Sequence, residues 1–160
     1  MTYTLEVCVD SVASALAAKR GGADRLELCA DLIIGGTTPS LALVQQVKAE
    51  TGLPVRALLR PRFGDFCYDR YELAQMAETA AALVQAGADG IVTGVLTPEG
   101  ELDVDALRPI YTAARAAAKA AGRPVVCTLH RAFDVCRDPF AALAAAKELG
   151  LATILTSGQA

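Results

Sequence analysis

The side chains able to do chemistry in this 160-residue chain are five cysteines, a single histidine and a set of closely spaced acids and arginines. The densest stretch is "VVCTLHRAFDVC", Val125 to Cys136, which holds His130 beside Arg131, Asp134 and two of the cysteines. At the end of a strand, His130 would serve as proton carrier or core hydrogen-bonding group, and Arg131 as an anion clamp. Asp134 has two readings, to fix the imidazole tautomer or to cap the loop. Other polar groups alternate through short apolar runs. Glu6, Cys8 and Asp10 share one face of "LEVCVD", Arg25, Glu27 and Cys29 one face of "RLELC", and Val126, Thr128 and His130 one face of "VVCTLH", because successive strand residues point to opposite sides. With those faces turned inward, Glu6, Glu27, His130 and Arg60 of "LLRPRFGDFCYD" converge at one mouth. Buried charges must be paired with each other or with a ligand. A purely structural ion-pair network of Glu6, Glu27 and Arg60 is therefore the alternative to a binding role.

The cysteines raise a metal question. Thiolates suit a soft ion such as Cu(I), whereas zinc usually takes four Cys or His ligands at tight spacing. Cys8 and Cys29 end neighbouring strands and are the candidate metal ligands, while Cys67, Cys127 and Cys136 belong to other units. By alternation Cys127 points away from His130, into the core. "GGTTPS", Gly35 to Ser40, offers either backbone N–H groups to an anion or a simple turn with a helix cap. "RPRFGDFCYD", Arg60 to Asp69, is long enough to act as a lid.

These residues must be held by alternating strands and helices. Strands are expected at Leu5–Val9, Arg25–Cys29, Val55–Leu59, Gly90–Thr93, Val125–Leu129 and Thr153–Thr156, with helices at Ser11–Arg20, Ser40–Thr51, Tyr71–Gln85, Asp103–Ala121 and Pro139–Leu149. Ser11, Ser40 and Asp138 are the helix caps, and Gly21, Gly52, Gly87, Gly122 and Gly150 the stops. An internal repeat is also visible. "GGADRLEL", "AGADGIVT" and "LGLATILT" share one turn, and "TGLPVRAL" and "AGRPVVCT" share another, alternating strand by strand. That alternation predicts an α/β fold of the (β/α)8 TIM-barrel type. "VCVDSVASA" has no G-x-G-x-x-G fingerprint, which argues against a dinucleotide-binding open sheet. About six βα units are present, so residues 1–160 are expected to form one partial barrel domain. Such a chain is part of a longer barrel or covers two open sheet edges by oligomerising or rearranging.

A hydrophobic share of 53% with 21% charged residues fits a globular chain able to bury a core. The net charge of −3 gives no footprint for nucleic acid. No apolar run reaches the length of a membrane span, and odd, irregularly spaced cysteines predict reduced thiols in the cytoplasm.

Taken in order, "LEVCVDS", "GADRLELCA", "GGTTPS", "RPRFGDFCYD", "GIVTGVLTPEGELD", "HRAFDVCRDP" and "LTSGQ" resemble the CutC family of copper homeostasis proteins. The resemblance implies a cytoplasmic TIM barrel, often a homodimer, with Cu(I) as ligand and two further βα units beyond "TSGQ". It places the family's polar positions on Glu6, Cys8, Glu27, Cys29, Arg60, Arg62, Asp65, Cys67, His130, Arg131, Asp134 and Ser157. Two function classes follow. One is a copper protein that handles Cu(I) through Cys8 and Cys29. The other is an enzyme on a small anionic metabolite, with Glu6 or Glu27 as acid or base, Arg60 and Arg131 as clamp, His130 as proton carrier and Asp134 beside it.

Overall fold

The computed structural model describes residues 3–159. Six parallel strands follow one another in the order β1 to β6: Glu6–Val9, Arg25–Leu28, Val55–Leu58, Gly90–Thr93, Val126–Leu129 and Thr153–Ile154. Five helices alternate with them: α1 (Val12–Arg20), α2 (Leu41–Thr51), α3 (Arg70–Gln85), α4 (Val104–Ala120) and α5 (Pro139–Glu148). Short 3-10 helices at Leu32–Ile34 and Arg131–Val135 follow β2 and β5. The sheet curls like part of a barrel, and the expected α/β barrel-type architecture holds. No helix is long and apolar enough to cross a membrane among the described residues.

Local sequence explains the boundaries. Ser11 and Ser40 cap α1 and α2 by accepting from the backbone N–H of Ser14 and Leu43. Asp69 opens α3 with a capping box completed by Glu72, and Asp138 precedes Pro139 at the start of α5. Gly52 closes α2 in the left-handed region at φ 66°, the conformation that glycine adopts without penalty. The last strand is shorter than the sequence implied. It ends at Ile154, although the Leu155 N–H still donates to Leu129 O at 2.8 Å.

The outward face of the sheet forms the main core. Leu26, Leu28, Val55, Ala57, Ile91 and Cys127 pack there with Val44, Val47, Met76, Leu83, Leu107, Ile110 and Tyr111, all buried. Cys127 therefore lies on the helix side of the sheet. Tyr111 also spans two strands, its hydroxyl lying 3.4 Å from Thr93 O and 3.3 Å from Thr128 O.

The inward face is partly polar. Register pairs Glu6 with Arg25, Cys8 with Glu27, Glu27 with Arg56 and Thr128 with Thr153, so these side chains share the concave side. Arg56 crosses this hollow. Its Nη1 donates to Thr128 Oγ1 at 3.2 Å and Thr153 Oγ1 at 3.1 Å, and lies 3.7 Å from Glu6 Oε2. Gly90 makes room for it, because a Cβ there would sit 3.0 Å from Arg56 Cγ. Arg25 pairs directly with Glu6. Arg56 is only 9% exposed at its side chain, so removing it leaves Glu6 with Arg25 alone and takes the donor from two poorly solvated hydroxyls. The Arg56→Met variant is expected to lose about 3 kcal/mol of unfolding free energy in urea titrations. Arg108→Ala, which breaks an exposed pair with Glu148, is expected to change stability by less than about 0.5 kcal/mol.

Candidate functional site

At the C-terminal end of the strands lies a cleft of about 160 Å³. Cys8, Glu27, Cys29, Arg60, His130 and Arg131 line it, with Leu32, Leu58, Phe66 and Leu155 as its apolar wall. Strand alternation delivers Cys8 from β1 and Glu27 from β2, while Cys29, Arg60 and His130 lie just past β2, β3 and β5.

His130 is 4% exposed. Its Nδ1 accepts a hydrogen bond from the Ala132 N–H at 3.1 Å, which makes the imidazole the cap of the 3-10 helix that follows. A neutral imidazole that accepts at Nδ1 carries its proton on Nε2. The Nε2–H is buried and has no partner among the described residues. The ring packs on Phe66 with centroids 4.6 Å apart. Gly94 backs it so closely that a Cβ would stand 2.8 Å from Cε1 and Nδ1. Burial drives the imidazole pKa down to about 3, and the Arg60 charge pushes the same way.

Arg60 is 8% exposed, and backbone carbonyls fix it. Its Nη1 donates to Gly35 O at 3.3 Å and Gly36 O at 3.2 Å, its Nη2 to Gly64 O at 2.8 Å, and its guanidinium carbon lies 5.1 Å from the Phe66 ring centroid. The "GGTTPS" segment thus turns carbonyls toward an arginine rather than N–H groups toward an anion, while Thr38 exchanges hydrogen bonds with the Arg60 backbone. The segment after β3 is tied down as well. Arg62 contacts Glu72 at 2.6 Å, Asp65 at 3.2 Å and Cys67 O at 2.8 Å, and Phe66 O accepts from Leu96 N at 2.9 Å. These bonds make it a fixed wall in this structure, with Phe66 facing the cleft.

Glu27 is 5% exposed. Burial and the neighbouring Glu6 carboxyl raise its pKa to about 7 against the opposing pull of Arg56 and Arg25. Partial burial, with Glu27 and Glu6 nearby, pushes the Cys8 thiol up to about 11. Deeper burial raises the Cys29 thiol further. Both thiols are therefore held protonated near neutral pH.

Not every expected residue reaches this mouth. Glu6 shares the inward face but lies two residues lower on β1, bound to Arg25 and Arg56 beneath the cleft. The structural network therefore consists of Glu6, Arg25, Arg56 and Glu27, and Arg60 stands apart from it. Asp134 makes no contact with the imidazole. It accepts from Arg131 Nε at 2.8 Å, from Ser157 N at 3.0 Å and from Ser157 Oγ at 2.9 Å, joining the turn after β5 to the turn after β6. Burial opposes its ionisation, but these bonds and one from Thr156 prevail and hold its carboxyl well below the usual range. Arg131 stands at the rim, its other end on Ser157 Oγ at 2.8 Å. Cys67 and Cys136 point their thiols at Thr97 O and Phe133 O, and Cys136 is buried beside Ala132. Sequence reading missed Phe66, Gly94 and Arg56. Only Arg56 left a signal, since it alternates with Leu58 and Arg60 in "VRALLRPR".

A model of the CutC family matches residues 3–160. The chain belongs to the CutC family. It is 45% identical over 156 residues to the human copper homeostasis protein cutC homolog, covering 98% of this chain and 54% of that protein. A CutC family protein of Salmonella paratyphi B is 44% identical over 155 residues, covering 97% of this chain and 59% of that one. The chain thus spans little more than half the length of these curated relatives. A CutC crystal structure from Streptococcus agalactiae superposes with a TM-score of 0.87 at 28% identity, over 99% of this chain and 74% of that one. A phosphoenolpyruvate phosphomutase from Streptomyces platensis gives 0.64 at 16% identity, over 98% of this chain and 60% of that one, a likeness of fold alone.

The neutral, buried imidazole has a measurable consequence. In the unfolded CutC chain the histidine protonates near pH 6.5, but in the folded chain only near pH 3, so the unfolded state binds more protons between these values. The His130 contribution to stability is full above about pH 6.5 and is expected to fall by roughly 1.4 kcal/mol per pH unit below it, whereas Glu27, raised to about 7, contributes with the opposite sign between about pH 7 and 4.5. The His130→Gln variant should lack this component in urea titrations. Because His130 is the sole histidine, its ring nitrogen resonances should show no titration between about pH 8 and pH 5.

Proposed function

We propose that this chain is a cytoplasmic copper homeostasis protein, folded as a single α/β unit, that takes Cu(I) as cargo between the thiols of Cys8 and Cys29. One observation carries the reading. These two cysteines arrive from adjacent strands at the wall of the same cleft, and the human relative is named for copper homeostasis. Thiolates are the soft ligands that Cu(I) prefers.

The donor set suits a low-coordinate soft ion better than zinc. No group of three or more His, Cys, Asp or Glu side chains with metal-binding geometry occurs among the described residues, whereas structural zinc sites are almost always four-coordinate. His130 is not a third ligand in its present tautomer, because Nε2 bears a proton and the Nδ1 lone pair is engaged by Ala132. Loading Cu(I) displaces both thiol protons; Glu27, in register with Cys8 and two residues before Cys29, can accept one, and the other passes to solvent. Leu32, Leu58 and Phe66 keep the apolar side of the cleft poor in water.

Titration of the reduced chain with Cu(I) against a competing chelator tests this. About one Cu(I) per chain is expected, with Cys8→Ser and Cys29→Ser each weakening binding by about 100-fold or more. Cys127→Ser, on the far side of the sheet, should leave affinity unchanged. Undiminished binding in the double serine variant would overturn the assignment.

A further inference from the structure

The copper reading leaves one group on the cleft wall unused. The His130 Nε2–H is a hydrogen-bond donor without a partner among the described residues, on a side chain that is 96% buried by its 4% exposure. Buried donors are nearly always satisfied, and those that are not are places to look for a ligand. Its direction of bonding is fixed, since Ala132 holds Nδ1 as the acceptor and Nε2 can only donate. The cleft therefore offers an acceptor-seeking group.

A second observation gives the sign of the charge. Arg60 lines the same cleft, and its partners are the carbonyls of Gly35, Gly36 and Gly64, not a carboxylate. Its Nε also lacks a partner among the described residues. Neutral carbonyls do not cancel the charge of a guanidinium that is only 8% exposed. Of the carboxyls near it, Glu27 also lines the cleft but stands in register with Arg56, and Asp134 on the rim is committed to Arg131, Thr156 and Ser157. The local field favours an anion.

The rest of the wall gives the size and character of that anion. Leu32, Leu58, Phe66 and Leu155 present an apolar surface, and the volume of about 160 Å³ is that of roughly five water molecules in the liquid. A bare inorganic ion would leave the apolar wall uncovered. We propose that the cleft binds a small organic carboxylate, one oxygen accepting from His130 Nε2–H, its charge facing Arg60 and its carbon skeleton against Leu58 and Phe66. This site uses N–H donors rather than thiolates and so does not depend on copper. Phe66 joins its two halves, touching the His130 ring on one side and the Arg60 guanidinium on the other.

The single histidine makes the test direct. Protein labelled with 15N in the imidazole is titrated with butyrate, lactate and succinate, and with butyramide and inorganic phosphate as controls. At least one carboxylate is expected to produce a saturable downfield shift of the Nε2 proton, and butyramide is expected to bind at least tenfold more weakly because the Arg60 charge finds no counterpart. His130→Phe should weaken the carboxylate by about tenfold and His130→Gln, which keeps a donor, by less. The titrations use reduced, copper-free protein, so the carboxylate response is read separately from copper binding, and Cys127→Ser, on the helix side of the sheet, should bind the carboxylate as the parent does. No saturable shift with any carboxylate would overturn the proposal. So would an equal response to butyramide, which removes the charge from the argument, or a response confined to phosphate, which removes the organic skeleton.

Discussion

Arg56 reaches from β3 across the hollow of the sheet to hydroxyls on β5 and β6, while its charge faces Glu6 on β1. One side chain thereby spans the concave face from one edge strand to the other. The helices cover only the outer face, so the inner face must satisfy its own polar groups, and it does so with Glu6, Arg25, Arg56 and Glu27. Glu6, Arg25 and Arg56 sit below the cleft and Glu27 on its wall, and the strands they join carry Cys8, Cys29 and the approach to His130 at their upper ends. The geometry of the mouth is a consequence of the layer beneath it.

Charge is graded along this axis. The lower layer sets Arg25 and Arg56 against Glu6, and the upper layer holds a guanidinium among carbonyls, a neutral imidazole and two protonated thiols. Glu27 lies at the boundary between them. Its proton is shared between the pull of Glu6 and burial on one side and Arg56 and Arg25 on the other. The same burial that keeps the thiols protonated keeps His130 uncharged, so the cleft is rich in donors and poor in negative charge.

Much of this was legible in "LEVCVD", "RLELC" and "VVCTLH", because period-two alternation says which residues share a face. It does not say how high each one stands. Glu6 precedes Cys8 by two residues, which at about 3.3 Å per residue lowers it by roughly 6.6 Å and takes it out of the mouth. The alternating turn types revealed the barrel-type architecture for a similar reason, being local signals repeated along the chain. What stayed hidden depends on contacts distant in sequence. Arg60 is fixed by Gly35 and Gly36 some 25 residues earlier, and Asp134 by Ser157 some 23 residues later. Even the imidazole tautomer escaped, since the group that sets it is a backbone N–H and has no side-chain signature.

X-ray absorption at the copper edge of the reduced, Cu(I)-loaded chain tests the central claim most directly, because it reads the atoms bound to the metal. With the metal on the thiols of Cys8 and Cys29 and the His130 ring turned to the cleft as a donor, a first shell of sulfur alone is expected, which disappears when both cysteines are serine. A nitrogen contribution that vanishes in His130→Gln would contradict it, since that would require the ring to give up either its proton or its bond from Ala132.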